Sequence, residues 1–348
     1  MSVAIGLLLL SLLVFLHELG HFISARFCGV TVEAFSIGMG PVLVHKKIKE
    51  TDYRISAFLI GGYCAMKGEQ DLEIDFTKCE KDSFYGRPPI FRALIAFAGP
   101  LANFFVALIL LSAVEFFPHP YFSSESEITI PENIDSAAKN AGMLSGDVIV
   151  RINDEKVEDF SDIPKLVSPL AGKNAKIEVN RNGSVLFFDV DIKSENGIGK
   201  LGVSNTKKMT HGSPFPLALF LGSKETCVFL KNYIEGIFSL FRAETKLSES
   251  LSGPVRITAE LGGVAQFGFA PVLQFTAYIS VALFVMNLLP LPALDGFLLI
   301  VSLLEAITKK RLSSRVRFIA QIVGISILVS LFLFSTMNDI LYFFKGIR

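Results

Sequence analysis

Tryptophan is absent from the 348 residues, cysteine occurs four times, and Lys, Arg, Asp and Glu together make up only 19% of the chain. That charged share falls below the quarter usual for soluble domains. The 33 basic and 33 acidic residues cancel, which removes the broad positive field that nucleic-acid binders rely on, so no nucleic-acid partner is expected. Cys28, Cys64, Cys79 and Cys227 include no CxxC pair and are spaced too widely to suggest a disulfide scaffold. They are expected to be free thiols in core or membrane. What the chain has in quantity is apolar mass: 51% hydrophobic residues, 32 of them Phe, and a mean hydropathy of +0.51. That composition excludes a disordered tail and describes a membrane protein embedded in a lipid bilayer.

A bilayer-crossing helix needs about 20 mostly apolar residues. Residues 3–25, 90–116, 272–304 and 317–344 meet that length, so four spans are expected. The first run lacks a preceding Lys or Arg and a small-x-small cleavage site, and it contains His17, Glu18 and His21. It therefore reads as a retained helix rather than a signal peptide. Basic residues cluster after the first span (Arg26, Lys46, Lys47, Lys49, Arg54) and between the third and fourth (Lys309, Lys310, Arg311, Arg315, Arg317). By the positive-inside rule both clusters belong on the cytoplasmic side, with both termini and residues 117–270 opposite.

The expected organisation is a first transmembrane helix at 1–27, a cytoplasmic-side β-region at 28–88 and a second helix at 89–117. A polar domain at 118–207 and an amphipathic interfacial segment at 208–270 follow. A third transmembrane segment at 271–305, a basic loop at 306–316 and a fourth helix at 317–348 complete the chain. In the β-region Tyr53, Ile55, Ala57 and Leu59 alternate with period two, and Gly38, Gly40-Pro41 and Gly61-Gly62 supply turns. Its strands are too apolar for a solvated hairpin, which places it close to the membrane. The polar domain reads as short strands at Ile128–Ile130, Asp147–Ile152, Ala175–Val179 and Leu186–Ile192, with short helices at Ser136–Asn140 and 161–170. Residues 216–242 show apolar positions at helical spacing with Lys224, Glu225, Lys231 and Glu235 between them. They fit a helix lying at the interface, the alternative being a core helix of the polar domain.

The sharpest motif is His17-Glu18-Leu19-Gly20-His21. Histidines at i and i+4 share a helix face and can reach one tetrahedral zinc, and a Glu between them can take a proton from metal-activated water. Ionisable groups inside a span are costly, about 2.5–3.5 kcal/mol each for the charged types, so this triplet is not incidental. His45, His119 and His211 lie outside the spans and are expected at the surface. In Met286–Gly296, Pro290 and Pro292 interrupt helical bonding, which predicts an unwound stretch lining a cavity. Asp295 is the only acid between Pro271 and Ile300 and needs a partner there. Spacing alone leaves open whether that partner is the histidine pair or a local one. Asn287 brings an amide able to donate to a carbonyl or oxyanion.

HELGH in the first span with NLLPLPALDG in a late one resembles the site-2 protease family of intramembrane zinc metalloproteases, in its bacterial, PDZ-containing branch. Phe35–Pro41 and Gly61–Glu69 resemble the family's membrane-associated β-region. Ala98–Asn103 resembles its second span, and Leu251–Val255 the segment before its third. Ala137–Ile149 resembles the helix-turn-strand of a bacterial PDZ domain, a module that adds an extended peptide to a sheet edge. The resemblance implies a polytopic α-helical membrane protein of four spans, with a small membrane-associated β-region and one inserted α+β PDZ-like domain. It also implies Zn²⁺ held by His17, His21 and Asp295, with Glu18 as the catalytic base and Asn287 holding substrate near the site. The implied activity is endopeptidase cleavage within the transmembrane segments of single-pass proteins, such as anti-sigma factors or remnant signal peptides, as part of regulated intramembrane proteolysis. The implied location is the bacterial cytoplasmic (inner) membrane, with both termini and the PDZ-like domain outside the cytoplasm. Phe297-Leu298 stand where relatives often carry a second glycine and a histidine, and no carboxylate-binding loop is recognisable in Tyr121–Ile130. Two rival readings are an intramembrane zinc transporter and a non-catalytic PDZ scaffold.

Overall fold

The computed structural model describes residues 2–69, 79–122, 125–131, 136–195, 197–242, 256–257, 264 and 268–345. The motif Leu251–Val255 and most of 243–267 lie outside the described residues. The chain divides into two compact units, Met1–Phe117 with Ser213–Arg348, and Pro118–Gly212.

The first unit contains α1 (Ser2–Phe27), β1 (Val32–Ile48), β2 (Thr51–Met66) and α2 (Pro89–Phe116). The second contains β3 (Pro120–Phe122), β4 (Ile128–Thr129), α3 (Ala137–Asn140), β5 (Val148–Ile152), β6 (Glu155–Lys156) and α4 (Asp162–Val167). It continues with β7 (Asn174–Arg181), β8 (Ser184–Asp191), β9 (Lys193–Glu195), β10 (Ile198–Lys200), β11 (Ser204–Asn205) and β12 (Lys207–Met209). The chain then returns to the first unit as α5 (Phe215–Phe241), α6 (Phe269–Asn287), α7 (Asp295–Thr308) and α8 (Ser314–Lys345).

Among the described residues four helices are long and apolar enough to cross a membrane: Ile5–Phe27, Pro89–Phe116, Phe269–Asn287 and Ser314–Ile340. The stretch read as one third segment, 271–305, is two helices. α6 stops at Asn287, and α7 begins at Asp295. The reason is the pair Pro290 and Pro292, which lack amide protons and push Leu289 and Leu291 out of the helical region. Ala293 closes the break at φ 76°, a left-handed conformation uncommon for a residue with a side chain. α2 starts with proline at its first turn and ends at Phe116, because the next residue, Phe117, is extended before Pro118.

α2 packs against α1, α5, α6 and α7. Its buried positions include Ala93, Ala96, Gly99 and Ala107, small residues that let neighbouring backbones come close. α5 belongs to the first unit, which overturns the reading of 216–242 as a core helix of the polar domain. Phe229, Leu230, Tyr233 and Ile237 pack on a buried cluster of Ala107, Leu111, Ala277, Val281 and Val285.

β1 and β2 pair along a long, irregular register in which Ala34–Ile37 face both Asp52–Ile55 and Gly62–Ala65. The base of this sheet is buried with α1 and α2 through Val32, Phe35, Cys64, Phe84 and Ile95. Its outer part is apolar and exposed, with Leu43 at 66% and Phe58 at 63%.

A second polar network is buried in the same unit. Arg92 on α2 donates to Glu305 Oε2 of α7 at 2.8 Å, and Arg317 of α8 donates to Oε1 at 3.0 Å. The Leu312 amide adds a 2.8 Å bond to Oε1, and both guanidinium groups lie over the Tyr85 ring.

The polar unit carries an antiparallel sheet of order β6-β5-β7-β8 over a core that includes Ile128, Met143, Ile149, Ile177, Val179 and Val190. β7 ends two residues after the strand expected there and β8 begins two residues before its own, because their pairing continues to the Asn182-Gly183 turn. His119, expected at the surface, is buried: its ring faces Thr210 Oγ1 at 3.2 Å, where β3 pairs with β12. Burial pushes the Asp147 carboxyl up, but paired bonds from Arg181 and the Leu144 amide hold it below the usual carboxylate range.

Candidate metal centre

The α1 helix carries His17 and His21 on one face, a turn apart, as their spacing requires. Their rings stand edge to face, with centroids 4.9 Å apart at 85°. The two Nε2 atoms are 3.3 Å apart. Asp295, first residue of α7, brings Oδ2 to 3.1 Å from His17 Nε2 and 3.3 Å from His21 Nε2. Both histidines are buried, and Asp295 Oδ2 is buried without a hydrogen-bond partner.

This triangle fits a zinc ion. Ligands held tetrahedrally at about 2.0–2.2 Å lie about 3.3–3.6 Å from one another, close to the observed edges. Two imidazole nitrogens and a carboxylate oxygen are a donor set of catalytic zinc sites, which keep a fourth position open. Among the described residues His17, His21 and Asp295 form the group able to hold a metal ion.

Two glycines make room for the histidine face. A side chain at Gly20 would collide with the Ala98 carbonyl and Ala102, so α1 and α2 touch backbone to backbone there. A side chain at Gly99 would occupy the space of the His21 ring. The rings are also aimed from behind. His21 Nδ1 lies 2.8 Å from the Ile95 carbonyl, and His17 Nδ1 lies 3.1 Å from the Asn103 side-chain nitrogen.

The triangle opens into a cavity of about 620 Å³. Glu18 and Asn287 line it alongside the three donors, so all five expected site residues share one cavity. The Cys64 backbone also faces Glu18. Further walls come from Tyr63, Cys64 and Met66 of β2, from Glu69, and from Arg317 and Gln321 of α8. Sequence reasoning overlooked Asn103, quoted only as part of a motif, and the wall residues Glu69, Arg317 and Gln321. The one available signal was that Asn103 and Gln321 are polar within otherwise apolar stretches.

Fold and site thus describe a helical protein with three donors able to hold a metal ion among its apolar helices. Comparison with known proteins then gives its kind. The model of Peptidase family M50 matches residues 5–331, and the chain belongs to that family. A relative in Treponema pallidum (strain Nichols), provisionally named a zinc metalloprotease, is 30% identical and aligned over 99% of both chains. Similarly named proteins in Campylobacter jejuni and Clostridium perfringens are 33% and 31% identical, with 96% and 98% of this chain aligned to 91% and 99% of theirs. The protein is a zinc metalloprotease, and the family with the four long apolar helices supports a multi-pass membrane protein.

Proposed function

We propose that this metalloprotease cleaves peptide bonds within membrane-spanning segments of single-pass proteins, with His17, His21 and Asp295 as its zinc ligands. The observation that carries the reading is the three-donor triangle on the wall of a cavity that also holds Glu18 and Asn287. The zinc ion supplies Lewis acidity, which makes water nucleophilic near neutral pH and polarises the scissile carbonyl. Glu18 takes the proton of the attacking water and returns it to the leaving amine. The Asn287 amide donates to the carbonyl oxygen as negative charge develops on it. Gly62–Ala65 pairs on one side with Ala34–Ile37, and Tyr63 and Cys64 line the cavity. An unwound substrate adding to this segment would find partners for the amides and carbonyls it exposes.

On this reading the protein resides in the bacterial cytoplasmic membrane, with both termini and residues 118–207 outside the cytoplasm, and acts on anti-sigma-factor-like proteins or remnant signal peptides. The polar unit is taken as a PDZ-like peptide binder. Its support is the short helix α3, the Gly146 turn at φ 93° and strand β5, which follow in the order of the Ala137–Ile149 motif. The apolar outer part of the β1–β2 sheet is read as lying in lipid.

Purified full-length Glu18→Gln should lose about 10²–10⁴-fold in cleavage of a transmembrane model substrate, with helicity and zinc content retained. Turnover at the wild-type rate would remove Glu18 from the chemistry. Zinc flux through proteoliposomes of the wild-type protein, without proteolysis, would favour the transporter instead.

A further inference from the structure

The hydrogen bonds behind the two histidines are not equivalent. His21 Nδ1 faces a carbonyl, which can only accept, so the ring proton sits on Nδ1 and Nε2 keeps a lone pair for an ion. His17 Nδ1 instead faces the Asn103 side-chain nitrogen at 3.1 Å, a donor. With that partner the neutral ring carries its proton on Nε2, the atom 3.1 Å from Asp295 Oδ2. A protonated Nε2 can bond to the carboxylate but has no lone pair for a metal.

Asn103 also carries the remedy. Its residue is fully buried, and its side-chain oxygen has no hydrogen-bond partner. A half-turn of the terminal amide exchanges oxygen and nitrogen with almost no change in shape. The oxygen then faces His17 Nδ1 and accepts its proton, which frees Nε2. The backbone at this position is held in place, since Ser280 Oγ of α6 donates to the Asn103 carbonyl at 2.8 Å.

We propose that Asn103 is a positioning residue for the metal centre: with zinc bound, its side-chain oxygen accepts the Nδ1 proton of His17 and fixes the ligand tautomer. This rests on His17 being a zinc ligand. Such partners behind ligand histidines typically contribute 10–100-fold in metal affinity. Asn103 is specified by hydrogen-bond polarity, and its two conservative replacements therefore separate. Asn103→Asp keeps an acceptor in the same place, whereas Asn103→Leu keeps the volume and removes it.

The test is the zinc dissociation constant of detergent-solubilised full-length protein, measured by chelator competition. Asn103→Leu should bind about 10–100-fold more weakly than wild type, and Asn103→Asp within a few-fold. Equal binding by Asn103→Leu and wild type overturns the proposal, as does equal weakening in both variants, which would show that only packing matters. Should either variant fail to fold, zinc-loaded wild-type protein labelled with ¹⁵N-histidine decides. In the zinc-loaded protein a downfield, hydrogen-bonded Nδ1–H resonance from His17 beside that of His21 supports the assignment, and its absence refutes it. His17→Ala should abolish tight binding. If it does not, the ligand reading itself is wrong and the role of Asn103 falls with it.

Discussion

Two buried polar clusters share the same helices and solve opposite problems. Near one position on α2 and α7, Asn103 and Asp295 surround the histidine pair; near another, Arg92 and Glu305 meet Arg317. In the second cluster the Glu305 carboxylate receives bonds from two guanidinium groups and an amide, so its charge is matched from within the chain. In the first, a carboxylate oxygen and two ring nitrogens converge with Asp295 Oδ2 left without a hydrogen bond. Burial of polar groups is costly in either place. A carboxylate matched by charged donors of the chain is architecture, while donor atoms aimed at a common point call for a ligand. The comparison teaches that burial and charge alone do not mark a functional site; the informative feature is what remains unmatched.

Breaking each cluster should therefore give different signatures. Asp295→Asn removes a donor from the unmatched cluster. Zinc affinity should fall by more than about 100-fold, beyond the usual effect of outer partners, with little change in melting temperature measured without metal. Unchanged metal content after dialysis would count against ligation. Arg92→Met leaves Glu305 short of a partner and should cost about 3–5 kcal/mol of stability, read as a lower melting temperature, while zinc affinity at temperatures where the protein is folded stays near wild type. The triple change Arg92→Met, Glu305→Leu and Arg317→Met should recover part of that loss, because a fully apolar replacement leaves none of the three charges buried. If it is worse than the sum of its parts, the network is more than a matched pair. The smallest effect is expected at Ala293→Gly. It removes the left-handed penalty, about 1 kcal/mol, so thermal stability should rise slightly or stay level, offset by a looser break before Asp295. A fall of several degrees would show that the Ala293 side chain itself holds the segment.

The two clusters also differ in how far they could be read in advance. His17, Glu18 and His21 lie within one helical turn and a half, so their common face follows from helix geometry. Asp295 lies on another helix far along the chain. Its isolation among apolar residues signalled a need for a partner, but only the family resemblance named which one. The proline pair correctly suggested an unwound stretch, although the full separation into α6 and α7 depends on the turn at Ala293. Arg92, Glu305 and Arg317 gave no such signal. Each sits beside a helix end, where a charge ordinarily faces water, and their meeting is a product of tertiary packing. His119 failed for the same reason: a polar ring near chain breaks looks exposed until β3 and β12 close over it.

Gly99 contributes no donor, charge or proton, yet the seat of one donor ring depends on the carbon it does not have. A single methyl there would compete with an imidazole for the same volume. Replacing residues one by one with alanine would thus register this position alongside the acid and the histidines, as an inactivating site whose chemistry is purely that of occupied space.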